Sequence, residues 1–199
     1  GFGADKRGYE PAAGRGFGPG GGVSISTSHS GGGYGGAGGK GISTGTTASP
    51  AYGIKEWPNE PGSAAANVNQ GGYGGGLIRV AAQGDIIMDG TMTANGQGSL
   101  NRYYAGGAGG GIHLSCRRLG GIGHLSAIGG NAGIDGIGGG GGGGGRIAVW
   151  RVRDLAGQGL TTEVTGGIAY ATARGAEPGE DGTICWGFLP APGTVFMLR

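Results

Sequence analysis

The sequence predicts an all-β protein: a parallel β-solenoid with a repeat of about 35 residues, in which extended glycine segments alternate with short strands. Four times, a glycine run leads directly into a short apolar strand, and these strands contain Ile78, Ile112, Ile147 and Ile184. The four isoleucines are 34, 35 and 37 residues apart, a period typical of stacked units that bury their apolar faces against their neighbours. No stretch shows helical periodicity, and β-branched residues bounded by glycine, asparagine and aspartate favour strands.

The composition permits such a fold but requires a thin core. Glycine accounts for 58 of 199 residues, with 8 prolines, a content that by itself indicates disorder. The regular spacing of the isoleucines argues against disorder. Charged residues make up only 13% of the chain, with 14 basic against 12 acidic side chains, so no strongly basic face is available for nucleic acid. No apolar run approaches the roughly 20 residues of a membrane span.

We expect one repeat domain over residues 1–199. Residues 1–70 form a glycine-rich N-terminal region, and residues 71–199 form four tandem units, of which the last, around Gly182-Thr183-Ile184, is degenerate. Each unit holds a first strand, a turn, and a second strand that ends in a small-residue loop. Because the chain begins at Gly1 without a methionine, we expect it to be a processed product or part of a longer protein.

The eight consecutive glycines at 138–145 allow two interpretations. The run is either a flexible linker or an extended, polyproline-II-like segment that packs backbone to backbone against similar segments. A collagen-like Gly-X-Y period is absent. Because glycine runs recur at the same place in each unit, directly before a strand, the ordered interpretation is favoured.

The repeat alignment also assigns faces to side chains, because neighbours along a strand point to opposite sides. Ile78, Ile112 and Ile147 should form an inward, buried column, whereas Arg79 and His113 should point outward. The two cysteines are Cys116, which shares a face with Ile112, and Cys185, which lies opposite Ile184. Two unpaired thiols are the favoured interpretation, and a disulfide through a local bulge or a C-terminal fold-back stays open.

Motifs of catalysis and metal binding have little support. Residues 41–45 read Gly-Ile-Ser-Thr-Gly, a G-x-S-x-G match that is expected by chance at this glycine content, and residues 46–50 cannot supply the helix that a nucleophile elbow needs. The G-x-G-x-x-G string at 16–21 has neither a preceding buried strand nor a following helix. No two of the histidines have the spacing of metal ligands. We therefore expect no enzyme activity, no cofactor and no metal.

Three stretches carry a resemblance to a known family: the glycine-rich residues 31–39, the sequence Gly-Thr-Met-Thr-Ala-Asn-Gly at 90–96, and the glycine run that ends in Arg146-Ile-Ala-Val-Trp150. They resemble the glycine-rich repeats of large secreted bacterial surface proteins of the adhesin-like type. The resemblance implies a right-handed parallel β-solenoid and an extracellular, architectural role, without catalytic residues. Ile128 stands where the preceding unit has Asn95, which argues against a continuous asparagine ladder.

The function expected from these observations is that of an extracellular structural protein, a self-assembling subunit or segment of a surface fibre or adhesin. Association with itself, head to tail, should use the glycine-rich N-terminal region and an apolar C-terminal segment: Thr194, Val195, Phe196, Met197 and Leu198. The alternative is a glycan-, receptor- or ice-binding module without catalysis. Its contacts would come from aromatic side chains, which otherwise cap the thin core: Trp57, Tyr73, Tyr103, Tyr104, Trp150 and Trp186.

Overall fold

The structure, a computed structural model, describes residues 1–67, 70–99, 101, 103–134, 138–157, 159–191 and 193. These residues contain short strands and one 3-10 helix, Thr172–Arg174, and no α-helix. The strands are β1 (Phe2–Gly3), β2 (Ser24–Ile25), β3 (Ser28–His29), β4 (Leu77–Ala81), β5 (Asp85–Ile87), β6 (Thr91–Thr93), β7 (Gly111–Gly120), β8 (His124–Ser126), β9 (Arg146–Asp154), β10 (Thr161–Glu163) and β11 (Thr183–Phe188).

The chain winds as a parallel β-solenoid of about three turns with about 35 residues per turn. The longer sheet has the strand order β4-β7-β9-β11, with β5 also paired to β7, and the shorter sheet has the order β1-β6-β8-β10. Neighbouring strands in both sheets are parallel, whereas β2 and β3 form a separate antiparallel pair. The predicted fold class is therefore confirmed.

The register of the longer sheet confirms the repeat alignment. Ile78 pairs with Ile112, Ile112 with Ile147, and Ile147 with Ile184. Ile112 and Ile147 are completely buried, and Ile78 is half-buried against the same cluster. The remaining buried members of this core come from both sheets and the turns between them: Met88, Met92, Ala94, Leu114, Cys116, Leu119, Leu125, Ala127, Val149 and Val164.

The outward face of the longer sheet differs from expectation at one position. Arg79 is exposed, as predicted, but His113 beside it in register is only 1% exposed. The N-terminal region covers it, with the Trp57 ring centroid 4.4 Å from that of His113. His113 points away from the core but not into solvent.

The glycine run is extended, and it is surrounded on all sides by backbone. From 140 to 145, amides three residues apart donate to the same neighbouring segment: 140 and 143 to residues 29–32, 141 and 144 to residues 177–180, and 142 and 145 to residues 127–130. The carbonyls of 140–144 accept amides of three other segments, residues 106–109, 36–39 and 164–167. A repeat of three residues without internal hydrogen bonds is that of the polyproline II helix. We call this run and its six neighbours the glycine bundle.

The six outer segments of the glycine bundle also bond to one another and so form a closed ring. One amide–carbonyl bond joins each neighbouring pair, for instance from Gly32 to Gly106 (3.0 Å) and from Gly130 to Gly107 (2.8 Å). Around the ring the order is 29–32, 36–39, 177–180, 164–167, 127–130 and 106–109. The central run therefore satisfies its amides and carbonyls in six directions, which buried backbone requires.

Glycine is needed in the central run because the segments lie too close for a β-carbon. A β-carbon on Gly141 would lie 1.9 Å from the Gly167 carbonyl oxygen, and one on Gly143 would lie 2.1 Å from that of Gly36. Both contacts are with backbone, which cannot rotate away. The ordered interpretation of the run is confirmed, and a flexible linker is not what the chain forms.

The N-terminal region is part of this packing. Residues 29–32 and 36–39 belong to the ring, and residues 62–65 lie beside it, where the Ser63 carbonyl accepts the Ala108 amide (2.9 Å). A buried arginine, Arg146, fixes a further segment: its Nε and Nη2 donate to the Tyr52 carbonyl at 2.9 and 2.7 Å. Residues early in the chain are thus held against turns that come about 100 residues later.

A short side-chain ladder runs along one edge of the shorter sheet. The Asp5 carboxylate accepts the Asn95 amide N–H (2.7 Å), and Asn95 Oδ1 accepts the Ile128 amide N–H (2.9 Å). Ile128 carries no acceptor, so the ladder goes no further, as the sequence suggested.

Candidate functional site

In the described residues, the G-x-S-x-G match does not have the geometry of a nucleophile elbow. In the described part of the chain, no three His, Cys, Asp or Glu side chains lie close enough to hold a metal ion. Ser43 of the G-x-S-x-G match lies in a turn, where its amide donates to Ser28 Oγ (2.9 Å) and its hydroxyl accepts from the Gly45 amide (3.4 Å). It has neither the strand before it nor the helix after it that expose a nucleophile. No described helix has the length and apolar character to cross a membrane.

Both cysteines are free thiols. Cys116 is buried in register with Arg151, whereas Cys185 is half-buried and paired with Ala148. Burial raises the pKa of the Cys116 thiol, so this cysteine behaves as a small core residue. Of the two alternatives open from the sequence, unpaired thiols are the one that the structure contains.

The predicted aromatic residues do not form one surface. Five of them fall into three places: under the N-terminal region, beside the glycine bundle, and at the C-terminal end of the longer sheet. Tyr73 stands apart from these clusters, is half-buried, and contributes its carbonyl to the Gln97 amide (2.8 Å).

The first aromatic cluster fastens the N-terminal region to the outward face of the longer sheet. The Trp150 indole N–H donates to the Glu56 carbonyl (2.8 Å), and the Arg79 guanidinium lies 4.5 Å from the Trp57 ring centroid. His113 is buried beneath Trp57, and this burial, together with the charge of Arg79, holds its pKa below the usual value. These side chains cover part of the outward face of the longer sheet.

The second cluster borders a groove of about 180 Å³ beside the glycine bundle. The Tyr104 and His29 ring centroids are 4.6 Å apart with the rings tilted by 48°, and the Tyr103 and Tyr104 ring centroids are 6.5 Å apart in an edge-on arrangement. The groove is completed by hydroxyl and amide side chains, those of Ser26, Thr27 and Asn67. Burial lowers the pKa of His29.

The third cluster is the C-terminal end of the solenoid core. On β11 the alternate residues Ile184, Trp186 and Phe188 are exposed, to 40%, 38% and 64%. They lie on the inward face, because Ile184 continues the buried column of Ile147. Arg151, which pairs with the Asp154 carboxylate through two bonds, lies under both rings, 5.2 Å from that of Trp186 and 4.1 Å from that of Phe188.

The opposite end of the core is also open. Phe2 on β1 is 67% exposed although its register partner, Met92, is buried. Between β1 and the strands β4 and β5 lies a groove of about 220 Å³. Its apolar lining consists of Phe2, Val80, Ile86, Ile87, Met88 and Met92. Both ends of the solenoid thus present core side chains.

The sequence identified Trp186 as a candidate residue, but not the other exposed aromatic residues at the two ends, Phe188 and Phe2. The apolar alternation in Ile184-Cys-Trp-Gly-Phe188 was the signal for the C-terminal end. For Phe2 no signal existed, because its role depends on a pairing with β6 some 90 residues away. The predicted self-association segment 194–198 lies outside the described residues.

The chain has no match among protein-family models, curated proteins or solved structures.

Proposed function

We propose that this chain is a structural protein that assembles with itself end to end, as a subunit or segment of an extracellular surface fibre or adhesin. The observation that carries the proposal is the exposure of core side chains at the two ends of the solenoid. Among the described residues, both ends combine an unpaired sheet edge with apolar side chains of the core. The placement outside the cell rests on the resemblance of the glycine stretches to secreted surface repeats.

Open edges of this kind favour association. Among the described residues, β11 pairs with β9 alone, and β4, at the other end of the sheet, pairs with β7 alone. The outer edges therefore offer rows of backbone donors and acceptors to another chain. A head-to-tail contact that repeats without closing produces a filament.

The experiment is to follow the size of the purified protein over a hundredfold range of concentration by sedimentation velocity, with negative-stain microscopy of the most concentrated sample. We expect particles that lengthen with concentration and keep a constant width. A monomer at every concentration would contradict the proposal. A variant lacking residues 194–199 should keep the circular dichroism of the fold and assemble less, since the deleted segment is apolar and β-prone.

A carbohydrate-binding module is the second candidate, because of the groove beside Tyr103 and Tyr104. Aromatic rings flanked by hydroxyl and amide groups suit a sugar, which has an apolar face and a polar rim. Titration calorimetry with soluble surface polysaccharides tests this candidate, with Tyr104→Ala as the variant that should abolish binding. Ice binding receives no such support: the positions stacked on Thr91 are His124 and Thr161, so no threonine rank forms.

A further inference from the structure

We propose that the two ends of the solenoid fit each other as a stepped joint, in which β1 of one copy completes the shorter sheet of the next. This inference rests on the proposed self-assembly and specifies its interface. The partner is a second copy of the chain, stacked along the solenoid axis with all strands parallel.

The step arises because the two sheets begin and end in different turns. The first complete turn contains β4, β5 and β6, and β1 lies one turn below it in the shorter sheet. At the other end, β11 lies one turn above β9 and β10, again in only one of the two sheets. Among the described residues, the longer sheet therefore projects at the C-terminal end and the shorter sheet projects at the N-terminal end.

These two projections are complementary. When the C-terminal end of one copy meets the N-terminal end of another, β1 of the second copy occupies the layer opposite β11, next to β10. The strand β4 of the second copy then lies next to β11. Both sheets then continue without a gap or an overlap.

The register within each sheet gives the contacts across the joint. One column of the longer sheet consists of Leu77, Gly111, Arg146 and Thr183. Continuing this column places Leu77 of the second copy on Thr183. Three residues further along both strands, Val80 of the second copy then lies on Trp186. One column of the shorter sheet consists of Gly3, Thr93, Ser126 and Glu163. Continuing it places Gly3 of the second copy on Glu163 and, one residue earlier on both strands, Phe2 on Thr162.

The shapes of the two ends agree with this register. Trp186 and Phe188 project from the C-terminal end, and the groove of about 220 Å³ that contains Val80 and Phe2 lies at the N-terminal end. The joint seats Trp186 in this groove and covers apolar side chains from both copies. Burial of an aromatic ring of this size is a typical anchor of a protein interface.

Charge agrees with the same register. Lys6 is exposed at the N-terminal end, and its amide donates to the Asn95 carbonyl, so it continues the column of the shorter sheet. The stacked position at the C-terminal end is Gly166, whose amide donates to the Asp181 carboxylate (2.9 Å). In the joint, the same register gives this amide the Asp5 carbonyl of the second copy as its acceptor, which releases the Asp181 carboxylate. The joint therefore brings Lys6 of the second copy to Asp181, and opposite charges meet at its rim.

Cysteine cross-linking tests the register with the native Cys185 as one partner. In the column, residue 79 of the second copy lies directly on Cys185, at one strand spacing of about 4.8 Å. Within one chain the same two residues are three spacings apart, about 14 Å, beyond the 4.4–6.8 Å that a disulfide spans. Oxidised Arg79→Cys should therefore form intermolecular disulfides, seen as a ladder on non-reducing gels and as a 79–185 linked peptide by mass spectrometry.

Arg117→Cys is the matched control, because Arg117 is also an exposed arginine but lies in the middle turn. It should form no linkage to Cys185. Since Arg79 stacks on Trp57, a second pair, Gly3→Cys with Glu163→Cys, tests the shorter sheet without touching that contact. A β-carbon at Gly3 meets nothing nearer than Thr93 Oγ1 at 3.7 Å.

The affinity of the joint provides an independent readout. Phe2→Asp and Trp186→Asp should each raise the dissociation constant of assembly at least tenfold, while their thermal unfolding stays near that of the parent protein. Assembly that persists without either cross-link overturns the stepped joint and leaves the proposed function standing. A parent protein that never assembles overturns both.

Discussion

The two halves of each solenoid turn fill their interiors with different material. Between the two sheets, side chains occupy the space, and Ile112, Leu114 and Leu125 are completely buried. In the glycine bundle, backbone occupies it, and the central run touches six other segments through amides and carbonyls. The same chain thus alternates between a conventional hydrophobic core and a core without side chains.

The difference lies in what each half can tolerate. A side-chain core accepts changes of shape and volume at moderate cost, because neighbouring side chains adjust. A backbone core has no side chains to adjust, so a single methyl group must displace a whole segment. The hydrophobic core is specified by a period of two along its strands, and the bundle by a period of three in its hydrogen-bond partners.

The largest expected effect comes from placing a side chain in the centre of the bundle. Gly141→Val should abolish the fold, and Gly141→Ala should cost more than about 4 kcal/mol of unfolding free energy, in the range reserved for severe core disruption. The reason is the 1.9 Å approach to the Gly167 oxygen. Urea denaturation followed by circular dichroism measures the change.

The control for this prediction is Gly84→Ala, where a β-carbon would meet nothing within 4 Å. This variant should unfold at the parent midpoint or slightly above it, since alanine restricts the unfolded chain. Equal stabilities of the Gly141→Ala and Gly84→Ala variants would refute the backbone core.

Substitutions at Ile112 test the hydrophobic core, for comparison with the glycine bundle. Ile112→Ala should cost about 2–5 kcal/mol and Ile112→Val about 0.5–1.5 kcal/mol, as in ordinary cores. Ile112→Asp should cost more than either, since it buries a charge without a partner. The matched position is Ile184 in the same column, 40% exposed, where alanine should cost clearly less than at Ile112 in the monomer.

Arg146→Lys probes the connection between the N-terminal region and the glycine bundle. Lysine keeps the charge but cannot make the paired bonds to the Tyr52 carbonyl together with the bond to Thr183 Oγ1 (2.8 Å). We expect a loss of about 1–3 kcal/mol, with faster proteolysis between residues 40 and 60. Unchanged proteolysis in that stretch would show that Arg146 does not anchor it.

The smallest effect is a dependence on pH through the buried histidines His113 and His29. Both have a pKa lowered by burial, so the unfolded chain binds more protons than the folded one just below pH 6.5. Stability should therefore be constant at neutral pH and fall as the pH drops below 6.5. The double variant His113→Gln, His29→Gln should lose this part of the pH dependence in thermal melts, and a slope that persists would assign it to other groups.

Residue spacing was enough to predict the solenoid, because the stacked column of Ile78, Ile112 and Ile147 is a periodic property of the chain. Extension of the glycine run was predictable from its fixed position before a strand. The ring around that run was not, since it unites segments such as 29–32 and 177–180 that have no common pattern. The cover over His113 was missed for the same reason: Trp57 reaches it from a proline-interrupted stretch without periodicity.

At the two ends of the solenoid, the sequence indicated apolar strands but not the shape of the ends. The apolar character of β11 is visible in Ile184 and Trp186. The step between the sheets depends on the pairing of Phe2 with Met92, a contact across most of the first turn. Local patterns therefore predict which residues are buried, whereas the shape of the two ends requires the register.

The closed ring around the central glycine run has a consequence for the rate at which the protein folds. Gly140 bonds to His29 and Gly144 to Gly36, so the centre of the bundle joins parts of the chain more than 100 residues apart. Closing such long loops is slow, and chains dominated by distant contacts fold on millisecond to second timescales or longer. We expect the aliphatic columns of successive turns to form first, and the amides of residues 140–145 to gain protection from hydrogen exchange last. We expect the glycine segments to stay hydrated until then, and the chain to become rigid only when the central run is enclosed by its six neighbours.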